Sequence, residues 1–146
     1  LDIISDENKI RQVLINLIGN SLKFTPLGGT ISIDFFSDGK TVEISVKDTG
    51  VGISKDDLGK LFQKFSRLDS SYVASATSGG TGLGLFISKK IIELMHGKIW
   101  ATSEGLGRGT VFTFSLPVAS SEVLQNAEKY TIKPEGEVKM LEPVVI

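Results

Sequence analysis

The chain has 146 residues, 40% hydrophobic and 23% charged, the mixture of a folded globular domain rather than a disordered segment. Zero cysteines remove disulfides, thiolate metal sites and a cysteine nucleophile, and a single histidine removes a His-based zinc site within this chain. Sixteen basic against seventeen acidic residues leave a net charge of −1, too little to attract nucleic acid or an anionic membrane, and no apolar run approaches the roughly 20 residues of a membrane span.

Residues 1–5 read as the end of a strand. Over 6–24, Ile10, Val13, Leu14, Leu17, Ile18 and Phe24 recur at helical spacing and predict a helix with one apolar stripe. Asp6 and Glu7 suit its positive end, and Thr25-Pro26 with Gly28-Gly29 stops it. Alternating residues at 31–35 and 42–46 predict two strands, with Asp38-Gly39 as a type I′ hairpin turn. A loop at 48–52 follows, and Ser54 with Asp57 has the pattern of a capping box for a short helix to 61 or 62. Residues 69–80, rich in Ser, Ala, Thr and Gly, predict a mobile loop. A second long helix is expected over 82–96, with Leu83, Phe86, Ile87, Ile91, Leu94 and Met95 inward and Gly97 as its left-handed cap. Strands at 99–103 and 111–116 flank a glycine-rich turn at 105–109, and Pro117 ends the regular pattern. The expected organisation is one domain at 1–117 and a tail or linker at 118–146. Its class is α+β: a two-layer α/β sandwich with an antiparallel or mixed sheet and helices on one face.

Three stretches carry chemistry. Asn16, Asn20 and Lys23 share one stripe of the first helix beside its apolar face, with Asn20 almost in line with Val13 and Leu17. Such an Asn either bonds neighbouring backbone or offers a hard, neutral amide oxygen suited to Mg²⁺ shared with phosphate, with Lys23 neutralising the phosphates. Gly79-Gly80-Thr81-Gly82-Leu83-Gly84 precedes the second long helix, either as a plain hinge or as backbone that lets a bulky anion reach the helix N-terminus. It is neither a P-loop, since Leu85-Phe86 replaces Lys-[Ser/Thr], nor a dinucleotide fingerprint, since Leu85 stands at the third glycine position. Asp48-Thr49-Gly50-Val51-Gly52 leaves a strand end: Asp48 either caps its own turn or accepts a hydrogen bond from an adenine amino group, with Gly50 and Gly52 letting the loop lie flat beside the base.

Together these stretches resemble the nucleotide-binding boxes of the sensor histidine kinases. Residues 16–25 resemble the N box, 48–53 the G1 box, 61–65 the F box and 80–85 the G2 box, and Gly107-Arg108-Gly109-Thr110 is similar to the final glycine-rich turn. The resemblance spans 1–117 and extends to the wider GHKL superfamily of gyrase, chaperone and mismatch-repair ATPases. It implies the Bergerat-type ATP-binding sandwich, with ATP and Mg²⁺ as ligands. It implies that Asn20 coordinates Mg²⁺, that Asn16 and Lys23 contact the phosphates or the metal's waters, and that Arg67 reaches the γ-phosphate. It places Asp48 on the adenine amino group, Thr110 near the same ring edge through water, and Phe24 against the base or walling its pocket. Gly82 and Gly84 would admit the triphosphate, Thr81 and Leu83 would offer backbone N–H groups, and 69–80 would be the ATP lid.

Hydrolytic relatives carry a glutamate one turn before the metal-binding Asn, where this chain has Asn16, and a neutral amide is a poor general base. The resemblance therefore favours phosphoryl transfer to a histidine on an upstream dimerisation domain over an ATPase switch or a nucleotide-sensing module. It implies a cytoplasmic location, a homodimeric and even membrane-anchored parent, and a response-regulator partner. His96, at a predicted helix C-terminus, reads as structural rather than as the acceptor, and Arg108 as a solvated turn cation.

Overall fold

The computed structural model describes residues 5–64 and 82–119. The element order is α1 (Glu7–Phe24), β1 (Ile31–Ser37), β2 (Thr41–Asp48), α2 (Lys55–Leu58), α3 (Gly84–Leu94), β3 (Lys98–Thr102) and β4 (Thr110–Pro117). The four strands form one antiparallel sheet in the order β1-β2-β4-β3, so the expected α+β architecture holds. The strand end expected at 1–4, the loop at 69–80 and the tail from 120 onward lie outside the described residues.

Register places the core. Val42, Ile44, Val46 and Asp48 of β2 stand opposite Leu116, Phe114, Phe112 and Thr110 of β4, and all eight are buried on the face that the helices cover. α1 packs over β2 and against α3, which lies over β3 and β4. Val13 and Leu17 of α1 are fully buried, each contributing about 1.5–3 kcal/mol of apolar transfer. Phe114 is wholly enclosed in a central strand, and truncation to Ala would cost about 3–5 kcal/mol, a large part of an ordinary domain's stability. The core cover thins along β1: Ile31 packs against the core, whereas Ile33 and Phe35 share that face by register yet remain 42% and 58% exposed.

Helix α1 forms as its stripe predicts. Asp6 caps it by accepting from Asn8 N–H (2.9 Å) and Lys9 N–H (3.2 Å), and Thr25 closes it. Four local expectations are corrected. The β1–β2 turn centres on Gly39-Lys40, because Asp38 N–H donates to Thr41 O (3.3 Å). Only Gly39 has positive φ (83°), the sign pattern of a type II′ rather than a type I′ turn. The short helix stops at Leu58, although Ser54 does cap it by accepting from Asp57 N–H (3.2 Å), and Leu61 still reaches the core.

The inward face of α3 is rotated from the expected one. Ser88, Ile91 and Ile92 are buried while Ile87 is exposed and Leu94 is 81% exposed, because α3 meets α1 and the sheet together. Its left-handed cap is His96 (φ 59°), not Gly97. His96 N–H donates to Glu93 O (3.0 Å) and Gly97 N–H to Ile92 O (2.9 Å), the two bonds of a Schellman motif in which His96 is C′. Glycine is needed at 97 for another reason: a Cβ there would run into Ser115 O of β4.

Candidate functional site

Strand alternation delivers the Asp48 carboxylate beneath α1. The residue ends β2, faces Thr110 across β4 and is 4% exposed. One oxygen accepts from Gly50 N–H (2.9 Å) and Thr110 N–H (3.2 Å); the other accepts from the Ser21 hydroxyl (3.1 Å). Hydrogen bonds to a charged acceptor contribute about 1.5–3 kcal/mol each, enough to hold the side chain in one orientation. Among the described residues the Oδ2 atom has one partner, which leaves lone-pair capacity for a further donor.

The loop after Asp48 is clamped on both sides. Val51 N–H donates to Phe24 O (3.1 Å), and a Cβ on Gly50 would strike that same carbonyl. Gly109 N–H donates to Gly50 O (3.1 Å), and Gly109 (φ 72°) lies so close to the Asp48 carbonyl that no side chain fits. Ser103 ties the turn to the loop, donating to Gly109 O (2.7 Å) and accepting from Ile53 N–H (3.0 Å). A Cβ on Gly52 would likewise strike the Gly105 carbonyl, so close backbone approach within the protein itself requires glycine at both positions.

A groove of about 500 Å³ opens between α1 and α3, and Asn16, Gly19, Asn20, Gly84, Ile87 and Ser88 are among its lining residues. The Asn20 side chain is half-buried and makes no hydrogen bond to any described residue, whereas Asn16 Nδ2 donates to Ser88 Oγ (2.9 Å). Leu83, the N-cap of α3, has no side-chain cap bond, and the N–H groups of the first turn have no partner within the helix. Gly82 has φ 68°, open to glycine at little cost.

The structure therefore sorts the predicted residues into two groups on one helix. Asp48, Gly50 and Thr110 gather near the C-terminal turn of α1 beside Phe24; Asn16, Asn20 and Gly84 line the groove. Asn16 and Phe24 are eight residues apart, about 12 Å along α1 at a rise of 1.5 Å per residue. Lys23 is exposed and outside the groove lining, its Nζ 5.3 Å from the Phe24 ring centroid. Arg67, Thr81 and Phe65 of the F box lie outside the described residues. Two buried serines had not been singled out, Ser21 and Ser88. Their signal was available: Ser21 continues the i, i+4 row of Val13 and Leu17, and a polar residue on an apolar row must find a partner.

Comparison with known proteins agrees with this arrangement. The profile of the family described as "Histidine kinase-, DNA gyrase B-, and HSP90-like ATPase" matches residues 5–120. Sensor histidine kinase WalK of Bacillus subtilis (strain 168) is 47% identical over 114 residues, which cover 77% of this chain and 18% of WalK. Among solved structures, the mycobacterial sensor histidine kinase MprB matches with a TM-score of 0.71 at 25% identity, over 79% of this chain and 76% of that one. Full-length ShkA in complex with AMPPNP matches with a TM-score of 0.69 at 35% identity, over 83% of this chain and 24% of that one. The chain spans less than a third of the length of the curated relatives it matches. By sequence and by fold, the chain belongs to the histidine kinase-, DNA gyrase B- and HSP90-like ATPase family.

Proposed function

We propose that this chain is the ATP-binding catalytic domain of a protein-histidine kinase in two-component signalling. It would place the γ-phosphoryl group of ATP before a histidine on a dimerisation domain, within a homodimeric parent that then serves a response regulator. The observation that carries this reading is the buried Asp48 carboxylate, oriented by three donors beside the last turn of a helix that carries Asn16 and Asn20 in the two turns before it.

Each described residue then has a physical task. Asp48 accepts from the adenine amino group and rejects guanine, whose oxygen at that edge would face a carboxylate. Phe24 walls the base, and Thr110 holds Asp48 from the backbone while its own side chain serves the same ring edge. The N–H groups at the start of α3, including that of Gly84, have no partner within the helix and suit phosphate oxygens. Asn20 fits Mg²⁺: its amide lines the groove and has no partner among the described residues, where no group of three His, Cys, Asp or Glu competes for the metal. Asn20 would hold the metal, which when bound would supply positive charge against the phosphates. Lys23 and Arg67 add positive charge in this reading, and Thr81 and Leu83 further N–H donors. No described residue stands as a base at Asn16, whose nitrogen is already committed to Ser88, so transfer to an external nucleophile is favoured over hydrolysis.

Titration calorimetry of the chain with ATP and GTP in the presence of Mg²⁺ tests the binding half: ATP should bind and GTP should not. Incubation with γ-labelled ATP and a purified dimerisation domain bearing an acceptor histidine tests transfer, the expected product being acid-labile and base-stable. Failure to bind ATP would overturn the reading. Steady phosphate release by the isolated chain would favour an ATPase switch, and binding with no labelled histidine a sensor. Among the described residues no helix is long and apolar enough to cross a membrane.

A further inference from the structure

Ser88 has no part in the site as described, yet it is 2% exposed on α3 and its hydroxyl is the acceptor for Asn16 Nδ2 (2.9 Å). Gly84 lies one turn earlier on the same face of α3, and a Cβ there would collide with Asn16 Oδ1. The Asn16 amide therefore spans one turn of α3, nitrogen on Ser88 and oxygen over Gly84, and all three residues line the groove. An amide has two ends of opposite polarity, and which end faces a ligand decides whether it meets a donor or an acceptor. Here one of the two N–H groups is committed to Ser88, which fixes the plane of the amide with its oxygen on the Gly84 side.

We propose that Ser88 is a positioning residue that sets the polarity of Asn16, presenting its amide oxygen to donors such as metal-bound water rather than its NH₂ to phosphate oxygens. This rests on the nucleotide reading above. A carboxamide oxygen repels a bare phosphate oxygen and attracts the O–H of water polarised by a cation, so the benefit of Ser88 must depend on Mg²⁺. Removing the hydroxyl frees the amide to turn over, and its orientation is then no longer provided before the ligand arrives.

The test compares affinity for ATP with Mg²⁺ and for ATP in EDTA, by calorimetry on the intact chain. Ser88→Ala should weaken Mg²⁺·ATP roughly three- to tenfold, the scale of one hydrogen bond, and leave metal-free ATP within about twofold. Ser88→Thr, which keeps the hydroxyl, should restore Mg²⁺·ATP binding. In the background of Asn16→Ala the serine change should have no further effect. Ser88→Cys, near-isosteric with a weak acceptor, carries the same test if the alanine variant fails to fold, melting curves being the control. Equal weakening with and without metal, no weakening of either, or additivity with Asn16→Ala overturns the assignment while leaving the nucleotide reading intact. A wild-type chain that binds no nucleotide overturns both.

Discussion

The two ends of the candidate site, both along the C-terminal half of α1, are built on opposite plans. At one end, beside Phe24, Asp48 is buried, three donors hold its carboxylate, and the neighbouring glycines pack closely against backbone carbonyls. At the other, one to two turns earlier on α1, Asn16, Asn20 and Gly84 line an open groove, and the Asn20 amide has no partner among the described residues. The first arrangement can choose a ligand before meeting it, because its hydrogen-bond geometry is already set by sheet register. The second completes its bonding only with what it binds. On the function proposed above, base selection would belong to the folding core, and phosphate and metal binding to an open groove.

The largest effect is expected from Asp48→Ala. It strands the N–H groups of Gly50 and Thr110 and the Ser21 hydroxyl, so stability should fall by about 2–4 kcal/mol in urea titration, and ATP affinity should drop by at least about a hundredfold. Unchanged affinity would remove the base-selecting end altogether. Gly109→Ala should destabilise by about 3 kcal/mol, since the left-handed φ of 72° and the clash with Asp48 O act together, and its loss of ATP binding should track unfolding. Asn20→Ala gives the contrasting result: Mg²⁺·ATP affinity about tenfold lower, with the urea midpoint unmoved within about 0.5 kcal/mol because no described protein bond is lost. A large stability loss in that variant would show that the two ends are not built differently.

The smallest effect lies away from both ends, in the hairpin turn. N–H groups of Thr41 and Lys40 hold the Asp38 carboxyl below its ordinary value. Because the folded pKa is depressed, its stabilisation is complete above the unfolded value of about 3.9 and is lost as pH falls through the folded value. Asp38→Asn should therefore flatten the acid limb of a melting-temperature profile slightly below about pH 4, without altering nucleotide affinity at neutral pH. A change in affinity there would link the turn to the site.

Much of this was legible locally. The apolar row through Val13 and Leu17, the alternation of Val42, Ile44 and Val46, and the Ser54 cap each produced the expected element, since helix and strand periodicities depend only on neighbours in sequence. The misses were of one kind. Gly97 was expected to take the left-handed position, but α3 ends early and His96 occupies it, while β4 packing explains the glycine. Ile87 and Leu94 were expected inside, but the position of α1 turns Ser88 and Ile92 inward instead.

From residue order alone came the class of fold, the boxes and the candidate ligands, because side-chain chemistry and periodic patterning are carried by the chain wherever it goes. The partnerships of Ser21 with Asp48 and of Ser88 with Asn16, 27 and 72 residues apart, came only from the packed helices and sheet. A buried hydroxyl needs a partner, but its identity is decided by which distant element is brought within 3 Å, and register and helix packing control that distance.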